Sequence, residues 1–236
     1  MQLEPNRTET LIQNSRNLLR NYSIQKIKLV QINAYSIKER LTFLADFMKE
    51  HSIDVLSIPE TWCTPDIPDD SYRIPGYKFA RADRGLKKSN NEKNTNKGNK
   101  PSKPDEYMYG GGVGLYIRDT IKWREIRKSA IKNMNETEYI IVELHGLNGD
   151  RVLVASAYRR PKGHCLADSF EVLSDVSESY SDVVIMGDLN SDLSATDVNE
   201  EGRDLEKLLE RNSYHPVPFG PTHHQARLRS DPITGQ

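Results

Sequence analysis

A carboxylate and a carboxamide stand two positions apart at the end of an apolar run in this sequence. The run at 183–186 predicts a buried strand, and Gly187, Asp188 and Asn190 follow it directly. Side chains two positions apart on an extended backbone point to the same face, so Asp188 and Asn190 could contact one small ligand together. Gly187 has no Cβ atom, which permits a sharp turn or a close backbone approach. The segment suits the binding of a water molecule beside a phosphate, although a plain turn at a strand end uses the same residue types.

Three other polar side chains occupy the same kind of position. Asn33, Glu60 and Tyr158 each stand at or just beyond the carboxyl end of a predicted strand. Taken singly, Asn33 also fits a turn, Glu60 an exposed carboxylate, and Tyr158 an aromatic side chain at the edge of the core. Loops at strand ends are where a rigid scaffold presents reactive groups. The joint placement therefore predicts one site formed by side chains from several loops.

The elements that must position these residues alternate between strands and helices. In chain order, the hydrophobic patterns predict strand 27–32, a helix started by a Ser36–Glu39 capping box and ended by 51–54, strands 55–58, 113–117, 139–144 and 152–157, helix 170–180, strand 183–186 and helix 205–209. Gly110, Gly111 and Gly112 precede a strand rather than a helix, which indicates a bend or close backbone contact and not a phosphate-binding loop. The order of elements is typical of a mixed α/β or α+β domain with sheets at its centre.

Composition limits the class of protein. The 236 residues include 33 Lys and Arg against 34 Asp and Glu, so a nucleic-acid surface would have to be local. The sequence contains no long apolar run and no signal-peptide pattern, which predicts a nuclear or cytoplasmic protein that is not secreted. Cys63 and Cys165 match no metal-ligand spacing and are interpreted as reduced thiols.

Two segments are too polar to predict a packed structure. Residues 1–25 are interpreted as a polar leader before a domain at 26–236. Residues 87–106 are rich in Lys and Asn and contain no aliphatic residue, which predicts a disordered insertion at 86–107. Its lysines suit either a solvated loop or contact with a polyanion.

The ordered set of short motifs resembles one family. The motifs are Gln31-Ile32-Asn33, Glu60-Thr61-Trp62, Gly110-Gly111-Gly112-Val113, Tyr158-Arg159-Arg160-Pro161 and Gly187-Asp188-Leu189-Asn190, with Ile74-Pro75-Gly76-Tyr77, Arg81-Ala82-Asp83-Arg84 and Pro221-Thr222 as further matches. In this order they resemble the endonuclease/exonuclease/phosphatase superfamily, above all the apurinic-endonuclease-like domain of non-LTR retrotransposons. The resemblance covers about residues 27–222.

That resemblance implies a fold and a reaction. The fold would be α+β, a four-layer α/β/β/α sandwich of two mixed β-sheets flanked by helices and incomplete at the C-terminus. The reaction would be metal-dependent hydrolysis of a phosphodiester, with the chain acting as a DNA endonuclease of retrotransposon origin. A reverse transcriptase encoded downstream would fit this origin.

The resemblance also implies roles for the candidate residues. Glu60 would bind Mg²⁺ or Mn²⁺, with Asn33 beside the metal orienting it or the phosphate. Asp188 would orient or deprotonate the attacking water, while Asn190 would donate a hydrogen bond to the scissile phosphate. Tyr158 would contact a phosphate oxygen.

The DNA backbone would be bound by cationic side chains. Arg159, Arg160 and the lysines of 86–107 are the candidates for contact with backbone phosphates, and affinity should fall with salt. Membrane binding is not expected.

The sequence departs from the family pattern near its end. No Asp-His pair occurs after Asn190, and Ser230-Asp231 matches only part of the expected closing segment. This departure predicts a truncated copy that cuts slowly or not at all. Two alternatives stay open: a non-catalytic remnant, and a phosphatase or phosphodiesterase of the same fold acting on lipid or inositol phosphates.

Overall fold

The computed structural model describes six segments of the chain, namely 27–85, 110–130, 136–146, 149–161, 166–193 and 200–217. One compact unit is Ser23–Ser191, and the other combines Met1–Tyr22 with Asp192–Gln236. The predicted leader at 1–25 and the predicted insertion at 86–107 lie outside the described residues. The same holds for Cys165, Pro221-Thr222 and Ser230-Asp231.

The described residues of the first unit form two sheets and two α-helices. The elements are β1 (Leu29–Gln31), α1 (Leu41–Glu50), β2 (Val55–Pro59), a 3-10 helix (Asp69–Tyr72), β3 (Tyr77–Ala82), β4 (Val113–Arg118), β5 (Lys122–Lys128), β6 (Glu138–His145), β7 (Arg151–Tyr158), α2 (Ala167–Ser177) and β8 (Asp182–Asp188). The second unit contributes α3 (Glu200–Arg211). None of the helices within the described residues is long and apolar enough to cross a membrane.

Each sheet is mixed and has four strands. The first has the order β1-β2-β4-β3, in which only β1 and β2 run parallel. The second has the order β5-β6-β7-β8, in which only β7 and β8 run parallel. The two parallel pairs are the strands whose carboxyl ends carry the predicted site, so each sheet presents two of its site loops at one edge.

The sheets pack face to face around one apolar cluster. Its buried members come from both sheets and are Val55, Ala80, Ala82, Val113, Leu115, Ile117, Ile140, Val142, Leu144, Val152, Val154 and Tyr158. A buried hydrogen bond of 2.8 Å joins Ser57 Oγ in β2 to Ser156 Oγ in β7 across this interface. A buried hydroxyl without a hydrogen-bond partner would lower the stability of the folded protein. The Ser57–Ser156 hydrogen bond therefore favours this alignment of the two sheets.

The helix α1 covers the outer face of the first sheet. Leu44 and Met48 of α1 are buried in a second cluster with Leu56 and Ile58 of β2 and Tyr116 of β4. The helix α2 buries Phe170 and Leu173. Two mixed sheets flanked by helices confirm the predicted α/β/β/α sandwich.

One local expectation is wrong, and two strands were not predicted. The capping box at Ser36 is wrong, because α1 begins at Leu41 and its N-cap residue Arg40 makes no side-chain cap hydrogen bond. The Ser36 N–H instead donates to the Glu60 carbonyl at 3.0 Å. The strands β3 and β5 were not predicted, because each lies at the edge of its sheet and lacks a clear apolar alternation.

Candidate active site

Four of the predicted side chains lie at the same end of the two parallel strand pairs. Asn33 lies two residues after β1 and Glu60 directly after β2, while Tyr158 and Asp188 are the last residues of β7 and β8. Tyr158 and Asp188 are also direct register partners. The carboxyl ends of parallel strands lie at the same edge, which is why residues distant in sequence share one site.

Asn33 joins the two sheets through their carboxylates. Its Nδ2 donates to Glu60 Oε1 at 2.9 Å and to Asp188 Oδ2 at 3.1 Å. Because Glu60 Oε1 and Asp188 Oδ2 both contact the same Nδ2 atom, at 2.9 and 3.1 Å, these two oxygens lie within about 6 Å of each other. Asn33 Oδ1 accepts a hydrogen bond from the Tyr35 N–H at 3.1 Å, which fixes the orientation of the amide. Glu60 and Asp188 could therefore act on one ligand.

Gly187 brings β8 close to its neighbours. Its φ is +154°, and a Cβ at this position would lie 1.9 Å from the Ala157 carbonyl oxygen. Any larger residue would displace the backbone of β7. The Gly187 N–H donates to Gln31 Oε1 at 2.9 Å, which adds a second polar link between β8 and β1.

The turn after β8 is held by its own polar groups. The Asn190 N–H donates to Asp188 Oδ1 at 3.1 Å, and Asn190 Nδ2 donates to the Arg159 carbonyl at 2.6 Å. Asn190 has a φ of +48°, a left-handed conformation that Asn adopts more readily than most other non-glycine residues. The residue type thus suits the turn that presents its side chain beside Asp188.

Arg159 is buried and braces this turn. Its Nε donates to the Leu189 carbonyl at 2.7 Å, and one Nη donates to the Asn190 carbonyl at 2.9 Å and to Ser191 Oγ at 2.8 Å. The Arg159 guanidinium thus stabilises the loop that carries Asn190. Contact between Arg159 and a substrate phosphate stays a prediction. The side chain of the next residue, Arg160, is exposed to solvent.

Glu60 is held by the loop that follows β2. Its φ is +55°, and Trp62 Nε1 donates to Glu60 Oε2 at 3.4 Å. The Thr61 N–H donates to the Gly112 carbonyl at 3.2 Å, and the Trp62 N–H donates to the Gly111 carbonyl at 2.9 Å. The glycine segment therefore sets the position of the predicted metal ligand.

A buried ion pair behind the glycines was missed by the sequence analysis. Arg84 Nε and the Gly112 N–H both donate to the carboxylate of Glu138, the first residue of β6. A Cβ on Gly111 would lie 2.0 Å from Arg84 Nη2, and one on Gly112 would lie 2.5 Å from Thr61 Oγ1. The predicted close backbone contact at the glycines is confirmed.

Burial disfavours the charged form of the Glu138 carboxyl group. Burial raises the pKa of its carboxyl, and the Arg84 guanidinium and the Gly112 N–H oppose that shift. In the sequence, Glu138 stands in the polar stretch 135–138 and looks like a surface residue. The three consecutive glycines were the only signal that a bulky partner packs against this segment.

Tyr158 stays protonated in its environment. The side chain is buried, and burial raises the pKa of its phenol above the usual range, with the negative charge of Glu60 acting in the same direction. Its register partner across β6 and β7 is Glu138. A neutral phenol can donate a hydrogen bond to an anionic oxygen, as the predicted phosphate contact requires.

The donor atoms at the site suit a hard divalent cation. Glu60 and Asp188 supply carboxylate oxygens, and among the described residues neither lies within ion-pair distance of a Lys, Arg or His. No group of three or more His, Cys, Asp or Glu side chains that could hold a metal occurs in the described part of the chain. Mg²⁺ is commonly bound through one or two carboxylates together with water and substrate phosphate, so the site fits this ion better than a closed structural metal site.

Comparison with known proteins agrees with this architecture. The model of the endonuclease/exonuclease/phosphatase family matches residues 30–230. A search of curated sequences gave no significant match.

Solved structures share the fold at low sequence identity. An endonuclease/exonuclease/phosphatase family protein from Leptotrichia buccalis is 15% identical, covers 79% of this chain and 74% of its own, and gives a TM-score of 0.54. The AP endonuclease LMAP from Leishmania major is 15% identical, with 78% and 65% covered and a TM-score of 0.51. Because the family model spans most of the sequence and the fold agrees, the chain belongs to the endonuclease/exonuclease/phosphatase family.

Proposed function

We propose that this chain is a metal-dependent phosphodiester hydrolase that cuts DNA. The observation that carries the proposal is the contact of Asn33 with both Glu60 and Asp188, which places the carboxylates of two sheets around one small volume. Hydrolysis of a phosphodiester needs a positioned water, neutralised phosphate charge and a hydrogen-bond donor to the phosphate. Members of the family include both nucleases and phosphatases. The choice of DNA as the substrate therefore needs support beyond membership of the family.

Asp188 is the proposed group for the attacking water. Each of its oxygens already accepts one hydrogen bond, Oδ1 from the Asn190 N–H and Oδ2 from Asn33 Nδ2. A carboxylate oxygen can accept a second hydrogen bond, so Asp188 can accept one from water and then take its proton. The water oxygen forms a bond to phosphorus, the bond from phosphorus to the sugar 3′ oxygen breaks, and solvent protonates that oxygen.

The other side chains would bind the phosphate. Tyr158 would donate its phenolic hydrogen to a phosphate oxygen, because the raised pKa of this phenol keeps the proton in place. Asn190 Nδ2 would have to exchange its present acceptor, the Arg159 carbonyl, for a phosphate oxygen. Asn33 would keep the two carboxylates together while substrate binds.

Glu60 is the proposed ligand of Mg²⁺ or Mn²⁺, with Asn33 adjacent. A bound divalent cation would neutralise charge that develops on the phosphate oxygens. Before any cation binds, Glu60 receives hydrogen bonds only from the neutral donors Asn33 and Trp62 among the described residues. That leaves its negative charge available for a cation.

The choice of DNA rests on the motif set. Glu60-Thr61-Trp62, Ile74-Pro75-Gly76-Tyr77 and Tyr158-Arg159-Arg160-Pro161 resemble the retrotransposon branch of the family, which we propose as the origin of the chain. One of the proteins of similar fold is named an AP endonuclease. The exposed Arg160 next to the site is a candidate contact for a backbone phosphate.

Nicking of supercoiled plasmid in Mg²⁺ tests the proposal. The variant Asp188→Asn keeps the shape of the side chain and removes its charge, and we expect the nicking rate to fall by about 10²- to 10⁴-fold. Asp182→Asn is a matched control at the opposite end of β8 and should nick at the wild-type rate.

A phosphomonoester and an inositol phosphate serve as parallel substrates. Phosphate release from them without plasmid nicking would replace the endonuclease by the phosphatase alternative. Inactivity of the wild-type chain on all three substrates would favour the non-catalytic alternative.

A further inference from the structure

Two large aromatic side chains stand exposed beside the candidate metal ligand. Tyr35 is 53% exposed and Trp62 is 38% exposed, although both belong to loops anchored in the core. The other large hydrophobic side chains exposed among the described residues are Phe43 on α1 and Val217. Two of these four exposed side chains therefore lie on the loops that carry Asn33 and Glu60.

Backbone hydrogen bonds place these two loops side by side. The Ser36 N–H donates to the Glu60 carbonyl at 3.0 Å, and the Ile37 N–H donates to the Thr61 carbonyl at 3.0 Å. Tyr35 and Trp62 flank these contacts in sequence. We call Tyr35 and Trp62 the aromatic pair, because they stand on these two neighbouring segments at the edge of the site.

The backbone of the aromatic pair is strained. The φ values are +46° at Tyr35, +93° at Ser36, +55° at Glu60 and +56° at Trp62. A left-handed conformation is unfavourable for most non-glycine residues, and here it recurs on two adjacent loops. The fold thus holds bulky rings in solvent at a position where glycine or asparagine would cost less.

The Trp62 ring contacts the proposed metal ligand, and the Tyr35 backbone contacts Asn33. Trp62 Nε1 lies 3.4 Å from Glu60 Oε2, and the Tyr35 N–H lies 3.1 Å from Asn33 Oδ1. Glu60 and Asn33 are the residues proposed to hold the cation and its phosphate. A group attached to that phosphate through one sugar would therefore lie near the exposed Trp62 ring, with the exposed Tyr35 on the adjoining loop.

We propose that Tyr35 and Trp62 form a stacking site for an unpaired nucleobase next to the scissile phosphate. This inference rests on the proposed function and names its substrate more narrowly, as a DNA strand with a base outside the duplex stack. Aromatic side chains bind bases of any sequence because every base has a π-face, and each stacked base tightens binding about tenfold or more. A base still paired and stacked within a duplex must first be extruded, which costs free energy.

A binding experiment can test the stacking site without turnover. The chain has two tryptophans, so Trp123→Phe leaves Trp62 as the only indole reporter. Combined with Asp188→Asn to slow cleavage, this protein is titrated in Mg²⁺ with three oligonucleotides of equal length: a single strand, the same strand with abasic sites and the same charge, and a duplex, which carries twice that charge. We expect the single strand to quench Trp62 emission and to bind about tenfold more tightly than the abasic strand, with the duplex binding more weakly than the single strand. Equal affinity and equal quenching by the normal and abasic strands would overturn the inference.

A catalytic experiment uses the second ring of the pair. In the otherwise wild-type chain, Tyr35→Leu removes the ring without touching a carboxylate, and Tyr35→Phe keeps it. We expect Tyr35→Leu to raise KM for single-stranded DNA about tenfold with kcat unchanged, and Tyr35→Phe to restore the wild-type KM. Phe43→Leu removes an equally exposed ring from α1 and should change neither constant.

The two experiments separate this inference from the proposed function. If the Asp188→Asn protein binds the normal strand more tightly than the abasic strand while the wild-type chain cuts no DNA, the stacking site stands and the nuclease is overturned. Nicking with equal KM in Tyr35→Leu and the wild type would keep the nuclease and overturn the stacking site.

Discussion

Two groups of acidic residues on the same pair of sheets differ in how their charge is balanced. Glu143 in β6 accepts hydrogen bonds from Arg124 Nε at 2.8 Å and from the Tyr180 hydroxyl at 2.6 Å. His145 and Arg151 also lie within 4 Å of its carboxylate. Hydrogen bonds from Arg124 and Tyr180 hold the pKa of Glu143 at about 2, so this carboxylate is ionised and neutralised within the protein.

Glu60 and Asp188 have no such partner among the described residues. Their hydrogen bonds come from an amide, an indole and a backbone N–H, none of which carries a charge. Two carboxylate oxygens within about 6 Å repel each other unless a cation lies between them or nearby. The charge of Glu143 is thus neutralised within the protein, whereas Glu60 and Asp188 receive hydrogen bonds from neutral donors, which supports our proposal that a cation binds at Glu60.

The largest expected effect is the difference in nicking rate between a Glu60 variant and a Glu143 variant. Glu60→Gln should reduce plasmid nicking by about 100-fold or more, because the variant loses the carboxylate that we propose as the metal ligand. Glu143→Gln should leave the nicking rate within about twofold of the wild type while lowering stability. Rates are measured on supercoiled plasmid in Mg²⁺. Similar losses in both variants would show that the two carboxylates do not differ in role.

The hydroxyl of Tyr158 should matter less than a metal ligand. Tyr158→Phe removes one hydrogen bond to the phosphate, which we expect to lower kcat roughly 10-fold. Because the pKa of Tyr158 is raised, the ratio of wild-type to variant rates should stay constant up to about pH 10, the ordinary pKa of tyrosine. A ratio that falls to unity by pH 9 would contradict the proposed protonated donor.

The glycine segment links stability to the site. In Gly111→Ala the new Cβ would lie 2.0 Å from Arg84 Nη2, and the guanidinium cannot move freely because it is buried against Glu138. We expect the free energy of unfolding to fall by about 3 kcal/mol or more, from backbone strain and a disturbed buried ion pair. Gly149→Ala has a similar φ and no atom within 4 Å, so it should cost about 1 kcal/mol. Urea unfolding of both variants measures the difference, and equal losses would mean that the close contact is unimportant.

The smallest expected effect is a change in the free energy of unfolding at acidic pH. The pKa of Glu143 in the folded protein is below its ordinary value of 4.5, so its stabilising contribution is present above that pH and is lost as the pH falls towards 2. The difference in free energy of unfolding between the wild type and Glu143→Gln should therefore shrink between about pH 5 and pH 2. Urea unfolding at several pH values measures it, and a constant difference would contradict the assigned pKa.

The site could be predicted because its residues follow strong strand signals. Asn33, Glu60 and Asp188 each follow an apolar run, and the ends of parallel strands converge whatever the details of packing. The family resemblance then supplied chemistry that spacing alone could not. The contact between Asn33 and Asp188, 155 positions apart, was implied only by that convergence.

Other features depended on contacts that no local pattern records. Glu138 is buried because Arg84, 54 positions away, packs against it. Ser36 has the sequence pattern of a helix cap, but its N–H is bound by the Glu60 carbonyl. The charged strand β5 forms because an edge strand needs only one neighbour and little burial.

Calorimetric titration with Mg²⁺ or Mn²⁺ tests the central claim most directly. We predict that the wild-type chain binds a divalent cation, that Glu60→Gln weakens this binding at least tenfold, and that Glu143→Gln leaves it unchanged. Thermal unfolding followed with and without the cation should give the same ranking, since a ligand stabilises only the chain that binds it. Binding by Glu60→Gln as tight as that of the wild type would contradict the account, because the uncompensated carboxylate would then not be the cation site.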